Sequence, residues 1–229
     1  MQGRFLLRSS GSGPHAVQVK VCGFTDEKNI SSVASLPIDA AGFVLFRKSS
    51  RYVPSDRLDS LIRTLPDRVT PVLLFVNPDP DEVFAVTRRH PEVLLQFHGD
   101  ETPEFCRSVK EEGLKSGHAL QIIKAFGVAP DEPFPHTEDY EADCDFFLFD
   151  TRCPTAGGSG RTFDWDVLQN YHGHTPFFLS GGIGSDSADR LRSFSHPAWA
   201  GVDLNSRFET TPALKDVGLL ADFIKDLRE

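Results

Sequence analysis

Cys22 and Asp150 each close an apolar run, and two glycine-rich turns, Gly157-Gly158-Ser159-Gly160 and Ser180-Gly181-Gly182, lie downstream of the aspartate. A thiol and a carboxyl can move protons as base and acid, and glycine turns expose amide N–H groups to a phosphate without a Cβ in the way. Together they are the working parts of an acid/base enzyme acting on a phosphorylated small molecule. The cysteines at 22, 106, 144 and 153 show no CxxC spacing and no histidine cluster of zinc type, so no metal site is expected.

Such groups need strand ends to stand on, and the chain supplies them. Short apolar runs recur at 17–21, 41–46, 71–76, 93–97, 120–125, 145–150, 176–180 and 199–204, with consecutive Val, Ile, Leu or Phe as in strands buried on both faces. Amphipathic stretches separate them, with start signals at Thr25-Asp26-Glu27-Lys28, Pro54-Ser55, Pro78-Asp79, Thr102-Pro103-Glu104, Ser185-Asp186 and Pro212. This alternation predicts an α/β fold, a single (β/α)8 TIM barrel with parallel strands. A doubly wound open sheet is the alternative, because closure is not readable from periodicity. The spacer between Phe126 and Asp145 carries prolines at 130, 133 and 135 and leaves room for only a short helix.

A chain of 229 residues fits one such barrel, which starts at roughly 200 residues. The barrel is expected to occupy 17–229, and 1–16, with Ser9-Ser10-Gly11-Ser12-Gly13-Pro14, to be a flexible extension without assigned function. Its patch Phe5-Leu6-Leu7 is too short for a secretory signal or a membrane span. The thiols are therefore expected to be reduced in a cytoplasmic protein. A net charge of −9 argues against a nucleic-acid partner, so local donors must hold an anionic substrate.

The motifs along this frame resemble the phosphoribosylanthranilate isomerases of tryptophan biosynthesis. The resemblance runs from Val19 onward through Lys20-Val21-Cys22-Gly23-Phe24-Thr25, Gly42-Phe43-Val44 leading to Ser49-Ser50-Arg51-Tyr52-Val53, Phe75-Val76-Asn77 and Leu95-Gln96-Phe97-His98-Gly99. It continues through Leu148-Phe149-Asp150-Thr151, Gly157-Gly158-Ser159-Gly160-Arg161-Thr162-Phe163-Asp164-Trp165, Leu179-Ser180-Gly181-Gly182 and Gly201-Val202-Asp203. It implies an Amadori rearrangement of N-(5-phosphoribosyl)anthranilate to 1-(2-carboxyphenylamino)-1-deoxyribulose 5-phosphate, with no metal or organic cofactor, by a monomer or homodimer. By the same resemblance Asp150 is the acid that protonates the ribose ring oxygen, and Cys22 the base that takes the C2 proton of the resulting Schiff base. Asp150 must therefore begin protonated and Cys22 ionised. Donors in the first loop and the dipole of the helix near Asp26 are the expected sources of thiolate.

Arg51 is expected to fork onto the anthranilate carboxylate. His98 either contacts substrate or satisfies a neighbour, and Asp203 either contacts a ribose hydroxyl or orders its loop. Gly158, Gly160, Gly181, Gly182, Asn205 and Ser206 are the expected phosphate cup, aided by the helix start near Ser185. Two positions depart from the family pattern: Arg47 stands where a proline is frequent, and Arg207 stands where glycine is usual. Arg207 is expected to turn outward toward a carboxylate such as Glu209. Indole-glycerol-phosphate synthase and ProFAR isomerase share the phosphate loops. The first would need a lysine acid and a glutamate, the second aspartates at the first and fifth strand ends, where this chain has Cys22 and Lys124-Ala125. A non-catalytic phosphosugar sensor would have no need of both Cys22 and Asp150.

Overall fold

A computed structural model describes residues 17–129, 132–151 and 165–229. The expected extension at 1–16 and the Gly157–160 turn, with Gly158 and Gly160, lie outside the described residues. Eight parallel strands form the frame: β1 Gln18–Cys22, β2 Ala40–Val44, β3 Thr70–Phe75, β4 Leu94–Phe97, β5 Gln121–Val128, β6 Phe146–Thr151, β7 Phe177–Ser180 and β8 Trp199–Leu204. β1 pairs with β2 on one side and with β8 on the other, Lys20 opposite both Ala40 and Asp203, so the sheet closes on itself. Closure excludes the open doubly wound sheet.

Helices α1 Glu27–Ala34, α2 Ser55–Arg63, α3 Pro80–Thr87, α4 Pro103–Lys115, α5 Ala188–Ser193 and α6 Val217–Arg228 cover the outside. Asp26, Asp79, Thr102 and Asp216 accept from backbone N–H groups of the first turns they precede, which satisfies donors the helices leave unpaired. Pro212 does not open a helix. It precedes Ala213, which takes φ 69° between two short antiparallel strands, β9 Glu209–Thr211 and β10 Leu214–Lys215, and the last helix waits for Asp216. Among the described residues no helix is long and apolar enough to cross a membrane.

Alternation along each strand divides the side chains. Val19 and Val21 join the shell beneath the helices, whereas Lys20 and Cys22 face the lumen with Ala40, Val72, Leu94, Ile123, Phe146 and Phe178 below and Val44 and Leu74 beside the thiol. Among the described residues only 3-10 turns, Glu138–Tyr140 and Trp165–Asn170, follow β5 and β6. Aromatic rings fill the shell there. Phe149 meets Phe134, Tyr171 and Phe177 at centroid distances of 5.2, 5.1 and 5.0 Å, and Tyr171 meets Phe177 edge-on at 5.6 Å. Edge-to-face packing of this kind adds to burial and stiffens β6, the strand that carries Asp150. Phe149→Ala is expected to cost about 3–5 kcal/mol in urea unfolding, at the upper end for a core truncation, because its contacts with Phe134, Tyr171 and Phe177 are lost at once.

Candidate active site at the carboxyl ends of the strands

Cys22 ends β1 at 1% exposure, and Gly42 across the β1–β2 ladder makes room for it: a Cβ there would lie 2.5 Å from the thiol Sγ. One turn of the pleat below, Lys20 is fully buried, its Nζ 2.8 Å from Asp203 Oδ1 in an ion pair without an aligned hydrogen bond. Burial alone would lower the ammonium's pKa, but the charges of Asp203 and Cys22 outweigh it and hold the pKa above the ordinary lysine value. For Cys22 burial dominates and pushes the thiol up. Lys20 and Lys215 pull it down, and Asp203 adds to the rise. The expectation that local donors lower this thiol is thus corrected for the unliganded site, because desolvation exceeds the pull of the lysines.

Across the mouth, Asp150 and His98 face each other from β6 and the end of β4, with His98 Nε2 3.4 Å from Asp150 Oδ2 and both partly exposed. Gln96, fully buried two residues earlier on the same face, donates from Nε2 to His98 Nδ1 at 3.0 Å. That bond leaves the ring proton on Nε2, the atom turned to Asp150. The loop holding His98 is anchored from outside the barrel. Glu101 accepts from the N–H groups of Asn77 and Gly99 and pairs with buried Lys124 at 3.3 Å, while Lys124 Nζ donates to the Gly99 carbonyl at 2.7 Å.

Arg51 lies on the loop after β2 and is clamped by Glu209 of β9, its Nε donating to Oε1 at 2.8 Å and its Nη2 to Oε2 at 2.5 Å. Lys215 Nζ donates to Glu209 Oε1 at 2.7 Å and to Asn205 Oδ1 at 2.8 Å. Asn29 of α1 fixes Lys215 by exchanging two hydrogen bonds with its backbone. Pairing with Arg51 and Lys215 overcomes burial and lowers the Glu209 pKa, whereas burial prevails at Lys215 and lowers its own. Gly23, at φ 90° directly after the cysteine, is crossed by the Arg51 side chain: a Cβ would stand 2.5 Å from Arg51 Cδ.

Gly181 and Gly182 follow β7 at φ 88° and 67°, and Asn205 and Ser206 follow β8, so the structure brings the described members of the expected phosphate cup to one side of the mouth. The adjacent helical start is a 3-10 turn, Ser185–Ser187, and a six-residue α5, rather than a long dipole. Arg207 turns toward another carboxylate than expected. It lies half-exposed across Gly184 with Nη2 3.6 Å from Asp186 Oδ2, because Glu209 is already occupied. Its φ is not positive, so the loop carries it in a 3-10 turn without strain. Asp203 serves Lys20, a partner that sequence reading did not assign to it.

Residues 19–226 match the family model described as N-(5'phosphoribosyl)anthranilate (PRA) isomerase. The chain belongs to this family. An N-(5'-phosphoribosyl)anthranilate isomerase from Parabacteroides distasonis is 41% identical over 211 residues, 91% of this chain and 92% of that protein. The crystal structure of phosphoribosyl anthranilate isomerase from Thermotoga maritima, 30% identical, superposes with a TM-score of 0.75 over 93% of this chain and 98% of its own. A phosphoribosyl anthranilate isomerase solved in complex with reduced 1-(o-carboxyphenylamino)-1-deoxyribulose 5-phosphate, 28% identical, gives 0.72 over 93% of this chain and 98% of its own. Membership in the PRA isomerases makes this protein an enzyme of tryptophan biosynthesis that carries out the Amadori isomerisation.

Within that family assignment, Lys20, Gln96, Glu209 and Lys215 are the site residues that sequence reasoning missed. Lys20 lies two places before Cys22 and so shares its face, a signal that period-two counting could have found. Replacing it tests its part in ionising the thiol. Lys20→Met removes the nearest cation and strands Asp203, both of which raise the thiol pKa further. The alkylation of Cys22 by iodoacetamide is therefore expected to move to higher pH, with less thiolate at neutral pH. The unpaired carboxylate should also cost about 3–5 kcal/mol in urea unfolding. An unchanged alkylation profile would remove Lys20 from the control of Cys22.

Proposed function

We propose that the enzyme performs the isomerisation with Asp150 as acid and Cys22 as base, on a substrate held by its phosphate between the β7 and β8 loops and by its carboxylate at Arg51. The observation that carries this reading is the placement of the two groups on opposite sides of one barrel mouth, each with its own polar support: Lys20 and Lys215 about the thiol, His98 about the carboxyl. Asp150 gives its proton to the ribose ring oxygen as the C1–O bond breaks, and the amine nitrogen supplies the electrons that make the Schiff base. The carboxylate left behind is met by the Nε2–H of His98. Cys22 then takes the C2 proton, and the electron pair moves into the C1–C2 bond to give the enolamine, which tautomerises to the ketose.

A thiol raised by burial suits this order of events. The protonated Schiff base is a cation formed beside Cys22 only after ring opening, and it stabilises the thiolate when the base is needed. Asp203, through Lys20, keeps a second cation beneath the sulfur; a contact of its carboxylate with a ribose hydroxyl is part of the same proposal. The phosphate is assigned to the amides of Gly181 and Gly182 with Asn205 and Ser206, joined by Gly158 and Gly160. The reading extends to a cytoplasmic enzyme, monomer or homodimer, that works without metal or organic cofactor.

Cys22→Ala and Asp150→Asn are each expected to lower kcat by on the order of 10²–10⁴-fold, measured by the loss of anthranilate fluorescence, with affinity for the reduced product analogue largely retained. Near-normal kcat in Asp150→Asn would end the acid assignment. In the wild type, kcat/KM should rise with pH along a limb that belongs to Cys22 of the free enzyme. Because only the deprotonated thiol is active and burial raises its pKa, this limb lies above that of an ordinary cysteine and is absent from any residual activity of Cys22→Ala.

A further inference from the structure

We infer that Glu209 is a positioning residue for substrate selection, holding Arg51 so that one free edge of its guanidinium meets the anthranilate carboxylate. The inference rests on the proposed binding role of Arg51 and adds what makes that role directional. A guanidinium has five N–H donors in a rigid plane, and Glu209 engages its Nε and Nη2 side. The remaining edge, between Nη1 and Nη2, is the other one able to bind a carboxylate through two parallel hydrogen bonds, and among the described residues Nη1 has no hydrogen bond. Arg51 keeps 20% of its side-chain surface exposed while Glu209 keeps 5%, so the clamp is buried and the side chain it holds still reaches solvent.

Glu209 is itself immobilised. Its Oε1 accepts from Lys215 Nζ at 2.7 Å and from Ala213 N at 3.2 Å in addition to Arg51. Because Arg51 also runs over Gly23, the residue after Cys22, the clamp fixes the carboxylate fork at a set distance from the base. A substrate lacking the carboxylate would leave this fork unsatisfied, and a guanidinium free to rotate would lose the discrimination without losing its charge.

The test compares two ligands, the reduced product analogue and its counterpart built on aniline, which lacks the carboxylate, by titration calorimetry with the full-length enzyme. The wild type should prefer the carboxylated ligand by on the order of 10–100-fold, and Arg51→Ala should erase the preference. Glu209→Gln, which keeps the shape but can no longer accept on both oxygens, should reduce the preference about tenfold with inhibition by inorganic phosphate unchanged. Should the single variant fold poorly, the double substitution Glu209→Gln with Lys215→Met removes the buried ammonium that Glu209 pairs and makes the same prediction for the ligand preference; phosphate inhibition is not its control, because Lys215 also holds Asn205. If Arg51→Ala erases the preference while both Glu209 variants retain it, the positioning role is wrong and the binding role of Arg51 stands. If Arg51→Ala itself retains the preference, the binding role is wrong and the inference falls with it.

Discussion

Two lysine ammonium groups withdrawn from water near one thiol set the terms for this end of the barrel. A buried charge is costly unless it is paired, and each of these has its own carboxylate: Asp203 for Lys20, Glu209 for Lys215. The pairs are built differently. Lys20 and Asp203 sit on adjacent β1 and β8 at the seam where the sheet closes, so the first ion pair depends on closure itself. Glu209 and Lys215 come from the β9–β10 hairpin appended after the barrel, and α1 holds that hairpin through Asn29. Arg51 then completes the charge balance around Glu209, which ties the proposed binding group on the β2 loop to the support of the proposed base on β1.

The proposed acid is supported by other means. Asp150 stands near the end of a strand whose outer face is packed with rings, and its polar neighbour His98 is oriented from below by Gln96 and from outside by the Glu101–Lys124 pair. Rigid packing fixes where the carboxyl is, and one histidine decides which of its states is met by a donor. The site therefore divides into a half around Cys22 with charges inside it, built from β1, β8 and the hairpin, and a half around Asp150 that relies on ring packing and on an ion pair outside the barrel.

Strands, and the end of each that carries chemistry, were legible because burial on both faces demands continuous apolar runs. The same signal blurs at β5, which continues past Ala125 to Val128 since Phe126 and Val128 keep the outward pattern. Cys22, Asp150, Arg51 and His98 were legible through their motifs. Lys20 and Lys215 were not, because a lysine in an apolar run is ordinarily a solvated edge residue and its buried partner lies far away in sequence. Pro212 misled for a local reason: proline serves a helix start and a turn equally well, and only the φ of 69° at Ala213 separates the two. The two- and three-residue strands around it carry no period to detect.

A thiol held above its ordinary pKa at the position of the base looks like a defect until the order of proton transfers is considered. A permanently ionised cysteine beside two lysines would be a well-satisfied ion cluster, stable before substrate arrives and weakened as a base by that stability. Burial removes the hydration that would make the thiolate comfortable, and the lysines return only part of the loss, so the anion is incompletely satisfied until the cationic Schiff base forms next to it. In the proposed mechanism the electrostatic stabilisation thus falls at the step after ring opening. That would link the two halves of the mouth, since the proton released by Asp150 would create the charge that Cys22 needs.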